Sequence, residues 1–225
     1  MSLKTDFQKI FNHFGKSKEN VTHDVEIIEN WIKTRNHLPK IPAATTITYF
    51  LANNYFSIEN TIQSLDMYYS VRKIMPDIYP NNLPLSSTTS DLNEEVTAVP
   101  LPTPTPNLHR EILNEVDGNP DKIAEDQPIE SMIHLNEVKM GEDLALGHIY
   151  GLDYDHDKLG HVGKAAPQMF PKMDFIWEDI CDDHSNEMHI NNAPSVADAL
   201  ITFLRTYLYR RLRDRVFDHN SLNDL

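Results

Sequence analysis

The hydrophobic period of this chain changes across a proline-rich stretch, and that change limits the architectures open to it. Before residue 80 the apolar residues recur at helical spacing. Phe7, Ile10, Phe11 and Phe14 mark a first helix, which Asp6 can cap and Gly15 can end. A second runs from Thr22 to Thr34, with Val25, Ile28, Trp31 and Ile32 on one face. His37-Leu38-Pro39-Lys40-Ile41-Pro42 holds two helix breakers and reads as a turn. Ile47, Phe50 and Leu51 mark a short third helix. Ser57 can N-cap a fourth through Ile58, Ile62, Leu65, Tyr69 and Ile74, which Met75-Pro76 ends. No strand pattern interrupts them, so residues 1–79 are expected to form a helical bundle.

Six of the 14 prolines then fall within residues 80–108: Pro80, Pro84, Pro100, Pro102, Pro104 and Pro106. Ser86-Ser87-Thr88-Thr89-Ser90 lies between them. Such a composition cannot pack a core, and the stretch is expected to be a linker without regular structure. Beyond it the periods alternate. Arg110 to Val116 reads as a strand, and a helix begins near Pro128 with Ile129, Met132 and Ile133. His148 to Tyr154 is a second strand, followed by a helix from Pro167 with Met169, Met173, Ile176, Trp177 and Ile180. Met188 to Asn191 is a short strand, Pro194 starts the longest helix, and Val216-Phe217 is extended again. This alternation predicts an α/β layer with a largely parallel sheet over residues 109–225.

The 225 residues are 40% apolar and 24% charged, close to ordinary globular usage. With 20 basic and 34 acidic side chains the net charge is −14, so bulk electrostatics give the chain no affinity for nucleic acid. Cys181 is the single cysteine, which excludes an internal disulfide and a multi-thiolate zinc site. No apolar run approaches the roughly 18 residues that span a bilayer. The start lacks a signal-peptide core, and Ser2 is not the glycine that myristoylation needs. Asn20-Val21-Thr22 matches a glycosylation sequon, which without a secretory signal reads as coincidence. A soluble intracellular protein is expected.

Nucleotide-binding and hydrolase motifs are missing: the seven glycines form no G-x-G-x-x-G, no G-x-x-x-x-G-K-[ST] and no G-x-S-x-G. Asp153-Tyr154-Asp155-His156-Asp157 opens like a calcium loop. Lys158 then stands where that loop needs glycine, and Lys164 where it needs a bidentate glutamate. His148, His156 and His161 are nearby but lack zinc-ligand spacing, so a polar loop after a strand is the preferred reading.

The segment from Pro194 to Arg215 says more. Val196, Leu200, Phe203, Leu204, Tyr207, Leu208 and Leu212 form an unbroken apolar stripe, so residues 194–215 are expected to form one amphipathic helix. Its C-terminal half carries Arg205, Arg210, Arg211, Arg213 and Arg215. A core helix whose arginines complement the macrodipole satisfies this pattern, although five exceed what a last turn requires. A helix that closes over an apolar ligand and meets a membrane satisfies it equally.

Several stretches together resemble the CRAL-TRIO (Sec14-like) lipid-transfer family, in particular its tocopherol-transfer and retinaldehyde-binding branch. In the helical part they are Ile32-Lys33-Thr34-Arg35-Asn36-His37-Leu38-Pro39, Phe50-Leu51 and Tyr68-Tyr69-Ser70-Val71-Arg72. In the second part they are Gly151-Leu152-Asp153, Leu159-Gly160-His161, His189-Ile190-Asn191-Asn192-Ala193-Pro194 and Arg215-Val216-Phe217-Asp218-His219. The resemblance covers residues 20 to 225 in order. It implies an N-terminal helical domain (1–79), the linker (80–108) and a Sec14-like lipid-binding domain (109–225) whose C-terminal end is cut short, since the family's L-P-x-E-x-G-G segment is missing.

The resemblance implies a non-enzymatic carrier of a tocopherol, retinoid or other isoprenoid-like lipid. Its pocket would be lined by Leu152, Met173, Ile176, Trp177 and Met188, and gated by Val196, Leu200, Phe203, Leu204 and Tyr207. Arg211 and Arg215 match gate-helix positions that contact phosphoinositide headgroups. The family's usual basic pair before the I-H-x-I-N strand is here His184 and Asn186. Its F-L-R-x-R element is Phe50-Leu51-Ala52-Asn53-Asn54, so several phosphate partners are lost. No catalytic residue, cofactor, metal ion or nucleic-acid partner is implied. A cytoplasmic monomer with transient contact at anionic membranes is expected. The competing expectation, favoured by the acidic stretch from Asp174 to Glu187, is a protein-interaction module on a degenerate lipid-binding fold.

Overall fold

The computed structural model describes residues 7–38, 41–76, 96–101, 108–115, 133, 147–153, 185–192, 202, 206 and 214–219. Four helices come first: α1 (Phe7–His13), α2 (Lys18–Lys33), α3 (Ala44–Asn53) and α4 (Ile58–Ile74). Five strands follow: β1 (Val96–Leu101), β2 (Leu108–Glu115), β3 (Gly147–Asp153), β4 (Ser185–Asn191) and β5 (Val216–His219).

Local chemistry sets the helix ends. α1 stops in a Schellman arrangement: the Gly15 N–H donates to the Asn12 carbonyl at 3.1 Å and the Lys16 N–H to that of Phe11 at 2.8 Å. Gly15 adopts φ +64°, which costs glycine little. α2 begins four residues before the expected Thr22. Ser17 caps it, its hydroxyl accepting from the Asn20 N–H while the Asn20 side chain accepts from the Ser17 N–H. The end of α3 repeats the Schellman bonds without a glycine. The Tyr55 N–H donates to Ala52 and the Phe56 N–H to Leu51, with φ at 52° and 58°. Left-handed backbone at a residue with a side chain costs roughly 1–2 kcal/mol. The return is burial of Phe56, whose ring meets Phe11 at 5.9 Å and Phe14 at 5.4 Å between centroids.

α3 is the centre of the helical region, since every residue from Ile47 to Asn53 is buried. Around it α1 buries Ile10 and Phe11, α2 buries Val21, Val25, Ile28 and Ile32, and α4 buries Thr61, Leu65, Tyr68 and Val71. These spacings are the 3-and-4 rhythm read from sequence.

The sheet order is β1-β2-β3-β4-β5, with β1 antiparallel to β2 and every other pair parallel. The largely parallel expectation therefore holds, and four strands lie where the pattern put them. The expectation that residues 80–108 lack regular structure does not hold for Val96–Leu101, which forms β1. Pro100 is tolerated because β1 is an edge strand, where a missing N–H need not break a ladder on both sides. The single helix expected over 194–215 also needs correction: Asp214 and Arg215 form a turn. The Arg215 carbonyl there accepts from the Met188 N–H at 3.0 Å, which commits the chain to β5. Of the helix expected near Pro128, Ile133 is described; it is helical and buried.

Candidate functional site

Strand alternation sorts the sheet into two unlike faces. On β4, Met188 and Ile190 share one face, and both are buried to within 1%. In register, Met188 pairs with Val216 of β5 and Tyr150 of β3, while Ile190 pairs with Leu152. Leu152 in turn pairs with Leu113 of β2. Met188, Ile190 and Val216 form a buried apolar patch, with the exposed Asp218 at the register position beside Ile190. Of the expected pocket residues, Met188 and Leu152 lie on adjacent strands, Leu152 in register with Ile190.

The opposite face of β4 is polar, although Ile149 is the register partner of Glu187 on β3. Glu187, His189 and Asn191 alternate along β4, and Phe217 and His219 occupy the matching positions of β5. The His189 Nδ1 lies 2.7 Å from the His219 Nε2, and the His189 Nε2 lies 3.0 Å from the Glu187 Oε2. The two imidazole planes differ by only 12°, with centroids 5.0 Å apart. That combination is an in-plane nitrogen-to-nitrogen hydrogen bond rather than face-on stacking. Phe217 flanks the His189 ring at 5.3 Å. Gly151, itself buried, is the β3 register partner of His189, so β3 brings no side chain beside the imidazole.

Asn191 is fully buried beside this cluster, and neither atom of its carboxamide has a hydrogen-bond partner. An unpaired buried amide opposes folding by about 1–3 kcal/mol. Asn192 follows at φ 53° and donates its N–H to the His219 carbonyl at 3.1 Å, closing the end of the β4–β5 ladder.

Arg215, the expected headgroup contact, is exposed at the turn into β5. Within the expected gate segment, Thr202 and Thr206 are helical and exposed, and the Thr206 hydroxyl donates to the Thr202 carbonyl at 2.7 Å. That places a polar helical face outward, as an amphipathic helix requires. Met173, Ile176, Trp177, Val196, Leu200, Phe203, Leu204, Tyr207 and Arg211 lie outside the described residues, as do His184, His156 and His161. Among the described residues no group of three His, Cys, Asp or Glu side chains is placed to hold a metal ion. No helix among them is long and apolar enough to cross a membrane.

The imidazole cluster carries no role in the sequence reading, although His189 and His219 belong to the stretches quoted there. Its signal is the polar alternation Glu187-x-His189-x-Asn191 opposite Phe217-x-His219. That alternation acquires meaning only once β4 and β5 are known to be neighbours.

Residues 17–89 match a family model described as "Pinta-like, UBA domain", which takes in α2, α3 and α4. The matching model for this region is thus a UBA domain and not a CRAL-TRIO helical domain. A search of curated protein sequences returns no match. Among solved structures, 32 chains match. One is the crystal structure of Sfh5, a Sec14-family protein. It aligns over 97% of this chain and 82% of its own length, with a TM-score of 0.53 and 11% sequence identity. At that identity the likeness defines a fold. The chain has a mixed helical and sheet fold similar to that of Sfh5.

Proposed function

We propose that this protein is a non-enzymatic carrier that binds a small hydrophobic ligand and exchanges it at membranes. The observation that carries the reading is the buried apolar patch of Met188, Ile190 and Val216 within a fold similar to that of Sfh5. Each methylene moved from water into such a patch gains roughly 0.8 kcal/mol, so a pocket built on it competes with a bilayer for a tocopherol, retinoid or other isoprenoid-like lipid. Met173, Ile176 and Trp177 complete the pocket in this reading. Val196, Leu200, Phe203, Leu204 and Tyr207 form the gate, which opens when a membrane offers its apolar stripe an alternative surface. Arg211 and the exposed Arg215 then meet anionic headgroups, phosphoinositides included. The protein works in the cytoplasm as a monomer, without cofactor or metal.

Organic extraction of the purified protein followed by mass spectrometry tests this. A stoichiometric isoprenoid-like lipid supports the carrier; an empty protein that takes up neither retinol nor tocopherol overturns it. A second reading, a protein-interaction module on this fold, is favoured by the UBA-domain match over residues 17–89. It predicts an empty protein whose helical region retains a binding partner on its own.

A further inference from the structure

We propose that the His189–His219 pair is a proton-sensitive latch that holds β5 to β4 at neutral pH and lets go in acid. A nitrogen-to-nitrogen hydrogen bond of 2.7 Å needs one protonated nitrogen and one lone pair. On its other side His189 faces the Glu187 carboxylate at 3.0 Å, which can only accept, so the His189 Nε2 carries a hydrogen. Three arrangements satisfy both contacts. In one, both rings are neutral and His219 donates to His189. In the second, His189 is an imidazolium that donates to Glu187 and to a neutral His219. In the third, His219 is the imidazolium and donates to a neutral His189. In each the pair holds at most one positive charge.

A second proton sets N–H against N–H across the same gap and removes the bond. Glu187 can offset one of the two charges and no more. Gly151 is the β3 partner of His189, Phe217 and Asn191 are neutral, and Asp218 alternates to the opposite face. The other acid on this face among the described strands is Asp153, in the register row of Asn191 and His219 and two strands away from His219. Arg110 is in the register row of Glu187, likewise two strands away. Asp214 and Arg215 sit exposed in the turn before β5.

β5 is a four-residue strand at the edge of the described sheet, and the pair ties its last residue to β4. Two backbone bonds bracket the pair: Met188 N–H to the Arg215 carbonyl at 3.0 Å, and Asn192 N–H to the His219 carbonyl at 3.1 Å. Loosening them frees the point where the chain re-enters the sheet after the segment from Pro194. If that segment is the gate, which rests on the carrier reading above, acid unseats its C-terminal anchor. An anionic membrane surface concentrates protons with other cations, so the latch couples release to arrival there.

Hydrogen exchange of the Met188 and Asn192 amides, corrected for intrinsic rates, tests the latch at about pH 7.5 and about pH 5.5. About tenfold faster corrected exchange in acid is expected for the native chain. In His219→Gln, whose carboxamide nitrogen can still donate to His189, the acid effect should disappear. Imidazole nitrogen NMR of the native chain gives a readout that does not depend on the variant folding. The second proton should arrive over the same pH range as the loss of protection. Equal protection at both pH values, or an acid effect that persists in His219→Gln, overturns the latch. Release of bound retinol to phosphatidylcholine vesicles is followed in parallel. A chain that binds no retinol at either pH overturns the carrier reading and leaves the latch to be decided by exchange alone.

Discussion

The helical region and the sheet spend their buried positions differently. In the helical region most buried side chains are apolar or aromatic, with Asp24, Thr48, Asn53, Asn54 and Thr61 as the polar ones, and the helix ends close on backbone bonds and local caps. On β4 the same stretch of seven residues buries Met188 and Ile190 on one side and His189 and Asn191 on the other. Both regions leave a buried carboxamide short of partners, at the Asn53 Nδ2 in the first and at both atoms of Asn191 in the second. The difference is one of proportion: apolar side chains dominate the helical interior, whereas β4 buries as many polar side chains as apolar ones, a share expected where stability has been given up for a task.

The sharpest way to break this comparison is to remove volume from the helical core. Phe50 is fully buried, with edge-to-face contacts to Tyr49 at 6.0 Å and Tyr68 at 5.1 Å. Phe50→Ala should destabilise by about 3–5 kcal/mol, because little can collapse into a site surrounded by helix on all sides. Urea unfolding followed by circular dichroism reads this. A loss below about 1 kcal/mol, the scale of an ordinary surface change, would mean that α3 is not the packing centre.

In the sheet the opposite sign is expected. Asn191→Leu replaces an orphaned carboxamide by a side chain of similar shape, and should stabilise by about 1–3 kcal/mol. The same denaturation measurement applies. A destabilised variant would show that Asn191 has a hydrogen-bond partner in solution, and the contrast between the two regions would then narrow.

The two regions also differ in how much of each can be read without coordinates. Helix signals are local: Gly15 ends α1 and Ser57 caps α4 as their positions suggest. Even there the start of α2 is displaced, because its capping box closes with Asn20 where a glutamate or glutamine would be the usual sign. In the sheet, the strands with apolar centres are legible, but β1 is not. Its proline-laden surroundings resemble a linker, and only its edge position makes Pro100 acceptable. The grouping of Leu152 with Met188 comes from register, and the imidazole pair joins residues 30 apart in sequence. Neither relation has a local signature. The expected gate and most of the expected pocket lie outside the described residues, so Leu152, Met188 and Arg215 are the members whose positions are known.

A smaller effect tests whether local caps matter as much as the helical region implies. Ser17→Ala removes the hydroxyl that accepts from Asn20 and should cost about 0.5–2 kcal/mol. Ser17→Gly should recover most of that loss, since glycine suits the extended N-cap backbone. Equal losses in both variants would point to side-chain packing rather than capping.

The smallest expected effect concerns the same helix end and its response to pH. The Glu19 carboxyl is held below its usual range, first by a hydrogen bond from its own backbone N–H and then by one from the Ser17 side chain. The depressed value means that the folded state favours the carboxylate, so the contribution is present above the unfolded-state value and is lost as pH falls through the folded one. Glu19 is in the first turn of α2, where a negative charge also faces the positive end of the helix. The group is fully exposed, so the effect is screened by solvent and weakens further with salt. Glu19→Gln should therefore unfold at slightly lower urea than the native chain at neutral pH. The gap should close once the solution is acidified below the carboxylate range, near about pH 3. Ser17→Ala should shrink the same gap at neutral pH, because it removes one of the bonds that favour the charged form. A difference that grows on acidification, or that Ser17→Ala leaves untouched, would mean that the charge acts through some other group and that the cap and the carboxylate are independent.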